Sequence, residues 1–226
     1  MIGGLGPEST IVYYRLIFDE YRRRLPSGGA PPLLINSIDV ARVLSLVGAG
    51  ELAALTDYVA GELDVLVRAG AAAAAIGANT PNIVFAQIQA RTKIPLISIV
   101  ETAAAEAHQR GLRRLGLLGT TFTMQARFFP DVFDRSGIEL VIPGPDDLLA
   151  VDTIYRSELL AGIVRPASCE RLVQIVGRLR DQPGIDGLIL GGTELSLILG
   201  EPSGIDLPIL DTTRIHVAAI VDWMLA

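Results

Sequence analysis

Cysteine, lysine, histidine and tryptophan are all scarce in this sequence. The one cysteine, Cys169, excludes an internal disulfide and suits a reducing cytoplasm, where the protein is expected. The one lysine, Lys93, precedes Ile94-Pro95-Leu96-Ile97 at a strand entrance, a poor place for the Schiff-base lysine of a pyridoxal-phosphate enzyme. The two histidines, His108 and His216, have no clustered Cys or His beside them, which argues against a transition-metal site. Neither cofactor nor metal is therefore expected. Basic charge is also short: 19 Lys and Arg face 25 Asp and Glu, for a net charge of −6 and a pI near 5.0. That balance argues against a nucleic-acid partner. No apolar run reaches membrane-spanning length, and no charged n-region with an apolar h-region opens the chain, so neither membrane insertion nor a signal peptide is expected.

What the chain has is apolar residues, 50% of 226, enough to bury the core of one domain or of two small ones. They are arranged as short strands ending in small and polar residues. Ile185-Asp186-Gly187-Leu188-Ile189-Leu190 runs into Gly191-Gly192-Thr193-Glu194, and Ala71 to Ile76 runs into Gly77-Ala78-Asn79-Thr80-Pro81. In an open α/β sheet the carboxyl ends of parallel strands are where ligands lie. The two strand ends read as facing halves of one pocket.

In chain order, the tail of a strand and a Gly-rich turn (Met1 to Gly6) lead into a helix from Pro7 to Leu25. Strand two is Leu33–Ile38, with Asn36 and Ser37 at its end and Asp39 as a loop carboxylate; a helix comes next, from about Glu51 to Ala69. Strand three is Ala71–Ile76, Pro81–Arg91 is helical with its proline early, and strand four is Leu96–Ile99. The pattern then restarts: a helix over Glu101–Arg110, a strand from Arg114 ending in Gly119-Thr120-Thr121, a helix over Met124–Ser136, and a strand over Glu139–Ile142 stopped by Pro143-Gly144-Pro145. Helices over Thr153–Ala161 and Ser168–Arg180, the strand to Leu190, a short strand Pro208–Leu210 and a helix Thr213–Leu225 complete it.

Gly3 to Gly77 is 74 residues and Gly119 to Gly191 is 72, each interval running from one strand-then-glycine turn to another. Such a period exceeds the solenoid range. The fold class predicted is α/β: two similar parallel-sheet subdomains, 1–99 plus 209–226 and 100–208.

Several stretches jointly resemble the aspartate/glutamate racemase family, part of the Asp/Glu/hydantoin racemase superfamily. They are Gly3-Gly4-Leu5-Gly6-Pro7-Glu8-Ser9-Thr10, Asn79-Thr80-Pro81, Leu118-Gly119-Thr120 with Thr123-Met124, Leu190-Gly191 with Thr193-Glu194, and Asp211-Thr212-Thr213 with His216. The resemblance spans nearly the whole chain. It implies subdomains related by a pseudo-two-fold with a cleft between them, no cofactor, and a homodimer acting on a small dicarboxylic amino acid. Family members remove an α-proton with one thiolate and return a proton from a second thiol on the opposite face. The two cysteines stand just before Asn-Thr and just before Thr-Glu; here those positions are Ala78 and Gly192, and neither side chain carries a transferable proton. The histidine common after Asn-Thr-x is Asn82. Members usually carry more residues before Ile2, forming the first strand, and a truncated or mis-called start would explain their absence.

The expected ligand-binding residues are Asn79 and Thr80, Thr120 and Thr121, and Thr193, as anion-holding groups at helix starts. Glu194 is placed for an amino group, and Arg42, after strand two, for a carboxylate by the resemblance. Helix capping is the plainer role for each of the threonines and for Glu194. Ser9 suits a cap, His216 and Cys169 suit packing, and Tyr155 suits either core packing or a bond to a substrate carboxylate. Since an α-proton is weakly acidic, inverting its carbon needs an aimed base and acid. An amino-acid racemase-like protein without its thiol pair is the leading expectation. A cofactor-independent isomerase or decarboxylase taking a larger substrate in the room left at Ala78 and Gly192, or a non-catalytic binder of a small acid, are the alternatives. A dinucleotide protein, prompted by Gly4-Leu5-Gly6, is a fourth and weaker reading, because the third glycine of that fingerprint is replaced by Ser9 and no acidic residue ends strand two at the expected spacing.

Overall fold

The computed structural model describes residues 1–182, 184–200 and 204–226 and divides into two compact units, Met1–Ile99 with Thr213–Ala226, and Val100–Thr212. In the first, β1 (Ile2–Gly3) pairs in parallel with β2 (Asn36–Ser37), and β3 (Ala74–Ala75) with β4 (Leu96–Ile97). A bridge from Ile2 to Ile76 joins the pairs, giving the order β2-β1-β3-β4. Successive residues of a strand face opposite sides. Accordingly Ile2, Ala74, Ile76 and Leu96 enter one core with Leu55, Val59, Leu63 and Leu66 of α3 (Leu52–Arg68) and Ile88 of α4 (Phe85–Arg91). Met1 and Ala75 enter another with Tyr13 and Ile17 of α1 (Pro7–Arg24). In the first turn of α1, Thr10 ties the glycine turn: its hydroxyl accepts from the Gly4 N–H at 2.9 Å and donates to the Gly6 carbonyl at 3.1 Å.

The sequence pattern predicts no helix between β2 and α3, yet α2 (Val40–Gly48) stands there. Asp39 is its cap and not a free loop carboxylate, since Oδ1 accepts from the Ala41 N–H at 2.8 Å. Arg42 on this helix lies with its guanidinium 4.2 Å from the centre of the Tyr58 ring.

The second unit holds α5 (Ile99–Gln109, from Val100 onward), β5 (Arg114–Leu118), α6 (Thr121–Gln125), α7 (Pro130–Phe133), β6 (Glu139–Val141) and α8 (Pro145–Ser157). It continues through α9 (Pro166–Asp181), β7 (Gly187–Leu190), α10 (Ser196–Leu199) and β8 (Ile209–Asp211). All pairings are parallel, in the order β6-β5-β7-β8. Leu118, Leu188 and Leu190 pack with Leu148, Val151 and Tyr155 of α8 and Leu172, Ile175 and Val176 of α9. Two predicted helices are corrected. Met124–Ser136 is broken, because Ala126 turns extended (ψ 153°) and Pro130, which has no N–H to give, starts a new helix. The helix predicted over Thr153–Ala161 starts at Pro145, which serves as a first-turn proline rather than a strand terminator.

Numbered within each unit, both sheets run second-first-third-fourth. The last strand, expected to return to the first unit, pairs instead with β7 (Leu188 with Ile209, Leu190 with Asp211). Only the helix after it changes unit: α11 (Thr212–Leu225) packs Val217, Ile220 and Val221 against Tyr13, Ile17 and Ala75. No described helix is long and apolar enough to cross a membrane.

Leu188 is fully buried in the middle of β7. Leu188→Ala is expected to cost about 3 kcal/mol, the usual range for a buried leucine truncated to alanine. Urea denaturation checks this as a lowered midpoint at unchanged slope.

Candidate functional site

A second-first-third-fourth order creates a switch point in each sheet. The chain leaves the first strand toward one edge and returns to the third on the other side, so the carboxyl ends of these neighbours flank a crevice. In the second unit these ends are Gly119-Thr120-Thr121 after β5 and Gly191-Gly192-Thr193-Glu194 after β7. The two turns touch: the Gly191 N–H donates to the Leu118 carbonyl at 2.7 Å, and a Cβ on Gly191 would lie 2.9 Å from that oxygen. Thr120, Thr121, Gly192, Thr193 and Glu194 are thus brought to one end of one sheet.

Their side chains bond inward. The Thr120 hydroxyl caps α6 by accepting from the Thr123 N–H at 3.2 Å and lies 3.1 Å from the Thr123 hydroxyl. The Thr121 N–H, expected to face a ligand anion, donates to Oδ1 of Asp152 at 2.7 Å; Asp152 also pairs with Arg156 at 2.9 Å. The Thr193 hydroxyl donates to Oε2 of Glu194 at 2.7 Å. Tyr155, on α8, donates its hydroxyl to the same oxygen, so its bond is to Glu194 rather than held out for a substrate carboxylate. Both residues are buried, 6% and 7% exposed. Burial first, and then the nearby Glu194 charge, hold the Tyr155 phenol well above its ordinary pKa, which keeps it a donor.

At Gly192 the space for a side chain is taken. A Cβ there would lie 2.4 Å from Cε2 of Tyr155 and 2.7 Å from its hydroxyl oxygen. The room expected at this position is filled by the tyrosine ring. Neither Asp152 nor the part played by Tyr155 is evident from sequence. They lie three residues apart on one face of α8, and reading Pro145-Asp146-Asp147 as a helix start would have exposed that face.

In the first unit the switch point lies between β1 and β3, where the Gly77 N–H donates to the Ile2 carbonyl at 2.9 Å. Half-buried Ala78 comes next, then a 3₁₀ turn over Thr80–Val84. The Asn79 side chain does not cap this turn, and its buried Oδ1 has no hydrogen-bond partner among the described residues. Asn82 holds the loop instead, its amide donating to the carbonyls of Ala78 at 2.9 Å and Asn79 at 3.0 Å. Thr80 stands half-buried at the start of the turn, and Arg42 is exposed on α2. Asn36, also read as within reach of a ligand, donates to Oε2 of Glu62 at 2.8 Å.

His216 is an anchor. It is fully buried, its Nε2 lies 2.9 Å from the Ile97 carbonyl and its Nδ1 2.8 Å from the Tyr13 hydroxyl. A carbonyl only accepts, so Nε2 carries the proton and Nδ1 accepts from tyrosine. Burial lowers its pKa from 6.5 to about 4. Cys169 on α9 is half-buried, its thiol 3.4 Å from the Ile198 carbonyl, a packing role. Among the described residues no three His, Cys, Asp or Glu side chains are grouped to hold a metal ion.

The model of the family described as Asp/Glu/hydantoin racemase matches residues 2–220. Among solved structures, a candidate Asp/Glu racemase from Yersinia pestis is 31% identical with a TM-score of 0.92, over 100% of this chain and 97% of that one. An aspartate racemase homologue from Pyrococcus horikoshii OT3 is 31% identical with a TM-score of 0.89, over 100% and 97%. The Picrophilus torridus aspartate racemase, 17% identical with a TM-score of 0.74 over 99% and 92%, shares the fold.

Two measurements check these contacts. Gly192→Ala forces a methyl group into the tyrosine ring and is expected to cost about 1–3 kcal/mol, as overpacking does. In a Tyr155→Ala background the added cost should fall by at least about 1 kcal/mol, a coupling read from a double-mutant cycle of denaturation midpoints. For His216, the unfolded imidazole takes up a proton below 6.5 that the folded one refuses until about 4. Its contribution is therefore intact above pH 6.5 and lost as pH falls toward 4, on the order of 3 kcal/mol for a shift of that size. His216→Gln should flatten stability against pH across that window.

Proposed function

The chain belongs to the Asp/Glu/hydantoin racemase family, and from that premise we propose that it binds a small acidic amino acid, without cofactor, and does not invert it by the two-thiol route. By the family pattern Ala78 and Gly192 occupy the two thiol positions. An alanine methyl and a glycine hydrogen transfer no proton at neutral pH. The observation that carries the proposal is the Tyr155 ring in the side-chain space of residue 192. No thiol from elsewhere in the chain takes that space, since the one cysteine bonds toward Ile198 from α9.

We assign the binding groups turn by turn. Asn79 and Thr80 offer an amide and a hydroxyl in the first unit, and the unpartnered Asn79 Oδ1 suits an N–H donor such as an ammonium group. In the second unit Thr120, Thr121, Thr193 and Glu194 surround the paired turns. There the hydroxyl of Thr193 is spent on Glu194 and the amide of Thr121 on Asp152, so their anion-holding part is smaller than capping logic suggests. Arg42, a solvent-facing cation above Tyr58, is kept as a carboxylate partner on the strength of the family pattern. A homodimer and a cytoplasmic location complete the proposal.

The test is α-hydrogen exchange of L- and D-aspartate and glutamate in deuterated water, with chiral analysis of the recovered acid, beside calorimetric titration of the same ligands. Binding in the titration with no deuterium at the α-carbon is expected. Inversion by the protein as it stands would overturn the proposal, as would failure of all four ligands to bind.

A further inference from the structure

Helix α1 is apolar on two sides. Its inner side packs Tyr13 and Ile17, both fully buried. Its outer side carries Ile11, Tyr14 and Phe18, spaced three and then four residues apart, so they lie along one line. Ile11 and Tyr14 are 44% and 46% exposed, and the ring centres of Tyr14 and Phe18 lie 4.5 Å apart. One buried stripe is all that a surface helix needs for its own fold, so the second is spare. Tyr13, Tyr14, Phe18 and Tyr21 put four aromatic side chains on this helix in a chain that is 5% aromatic. Aromatic residues gathered on an exposed apolar patch are what protein interfaces concentrate.

Charge decides what covers the stripe. Glu8, Arg15 and Arg22 are exposed and stand seven residues apart, so they form a row along one flank of it. Arg22 reaches over the Phe18 ring, 5.8 Å from its centre, whereas Arg23 and Arg24 are spent on Glu20. A second α1 laid antiparallel, about a two-fold axis beside Tyr14 and Arg15, sets Ile11 against the partner's Phe18 and Glu8 against the partner's Arg22. The symmetry makes each of these contacts twice. One pair of like charges, Arg15 with the partner's Arg15, falls on the axis, where long exposed side chains splay into water; two attractive pairs outnumber it. A parallel pairing would carry Glu8 past the start of the other helix, to no arginine. We propose that the outer stripe of α1 is where two copies of this chain meet, antiparallel, with Tyr14 and Phe18 at the centre of the contact. This rests on the homodimer of the proposed function and gives it a surface.

Sedimentation equilibrium over a concentration series gives the dimer dissociation constant and tests this. Tyr14→Ala and Phe18→Ala are each expected to raise it at least about tenfold, as the loss of a central aromatic anchor does. Glu8→Arg and Arg22→Glu should each raise it about threefold or more, since each removes two exposed pairs at once. The variant carrying both swaps should return to within about threefold of the wild type, because every swapped charge again faces its opposite. Tyr14 is exposed, so Tyr14→Ala should fold even if Phe18→Ala does not; circular dichroism checks each variant. An unchanged constant in the folded Tyr14→Ala protein, or a double swap no tighter than the single ones, overturns the assignment of this surface and leaves the homodimer intact. A wild type that sediments as a monomer throughout overturns the homodimer and this inference together, while aspartate binding is read separately by calorimetry.

Discussion

A buried carboxylate needs donors, and in the second unit the donors for Glu194 decide most of what surrounds it. Thr193 is its chain neighbour and costs nothing in topology. Tyr155 comes from 39 residues upstream, and α8 must lie over the β7 end for its hydroxyl to arrive. Once it does, the ring has one place to be, and that place is the side-chain space of residue 192. The glycine there is thus a consequence of a hydrogen bond between two other residues.

The same economy governs the turns that carry the other candidate residues. Parallel strands ordered second-first-third-fourth bring the first and third carboxyl ends side by side, and backbones in contact leave little room for Cβ atoms. Gly191 against the Leu118 carbonyl and Gly77 against the Ile2 carbonyl are the same solution in the two units. Small residues are what permit these turns to exist, and polar residues follow one to three positions later. In the first unit Asn82 holds the loop that follows, and the buried Asn79 oxygen has no hydrogen-bond partner among the described residues.

Much of this is legible in the sequence because it is local. Apolar runs stopped by glycine mark the strands, the 74- and 72-residue intervals mark the duplication, and five short motifs mark the family. The parts that are not legible depend on partners distant in sequence or on punctuation with two meanings. Pro145 marks a strand end or a helix start equally well, and only the packing of Leu148 and Val151 on the sheet decides for the helix. Val40–Gly48 is rich in β-branched and aliphatic residues, which masks a helix whose one local sign is the Asp39 cap. The position of the final strand near the end of the chain suggests a return to the first unit, whereas hydrogen bonding to β7 keeps it in its own sheet. Nothing in Gly191-Gly192-Thr193 announces a tyrosine ring, so the sequence suggests an opening where the structure has a wall.

The helix α11 has a bearing on how the protein is made. The second unit is one unbroken stretch of chain, whereas the first lacks Val217, Ile220 and Val221 of its core until the last helix has been synthesised. A ribosome delivers residues from the amino end, and domains fold as their chain becomes complete. The half begun first is therefore the half completed last. During translation Tyr13 and Ile17 of α1 wait for the apolar side chains of α11, and the anchoring of His216 between Tyr13 and Ile97 closes that interval.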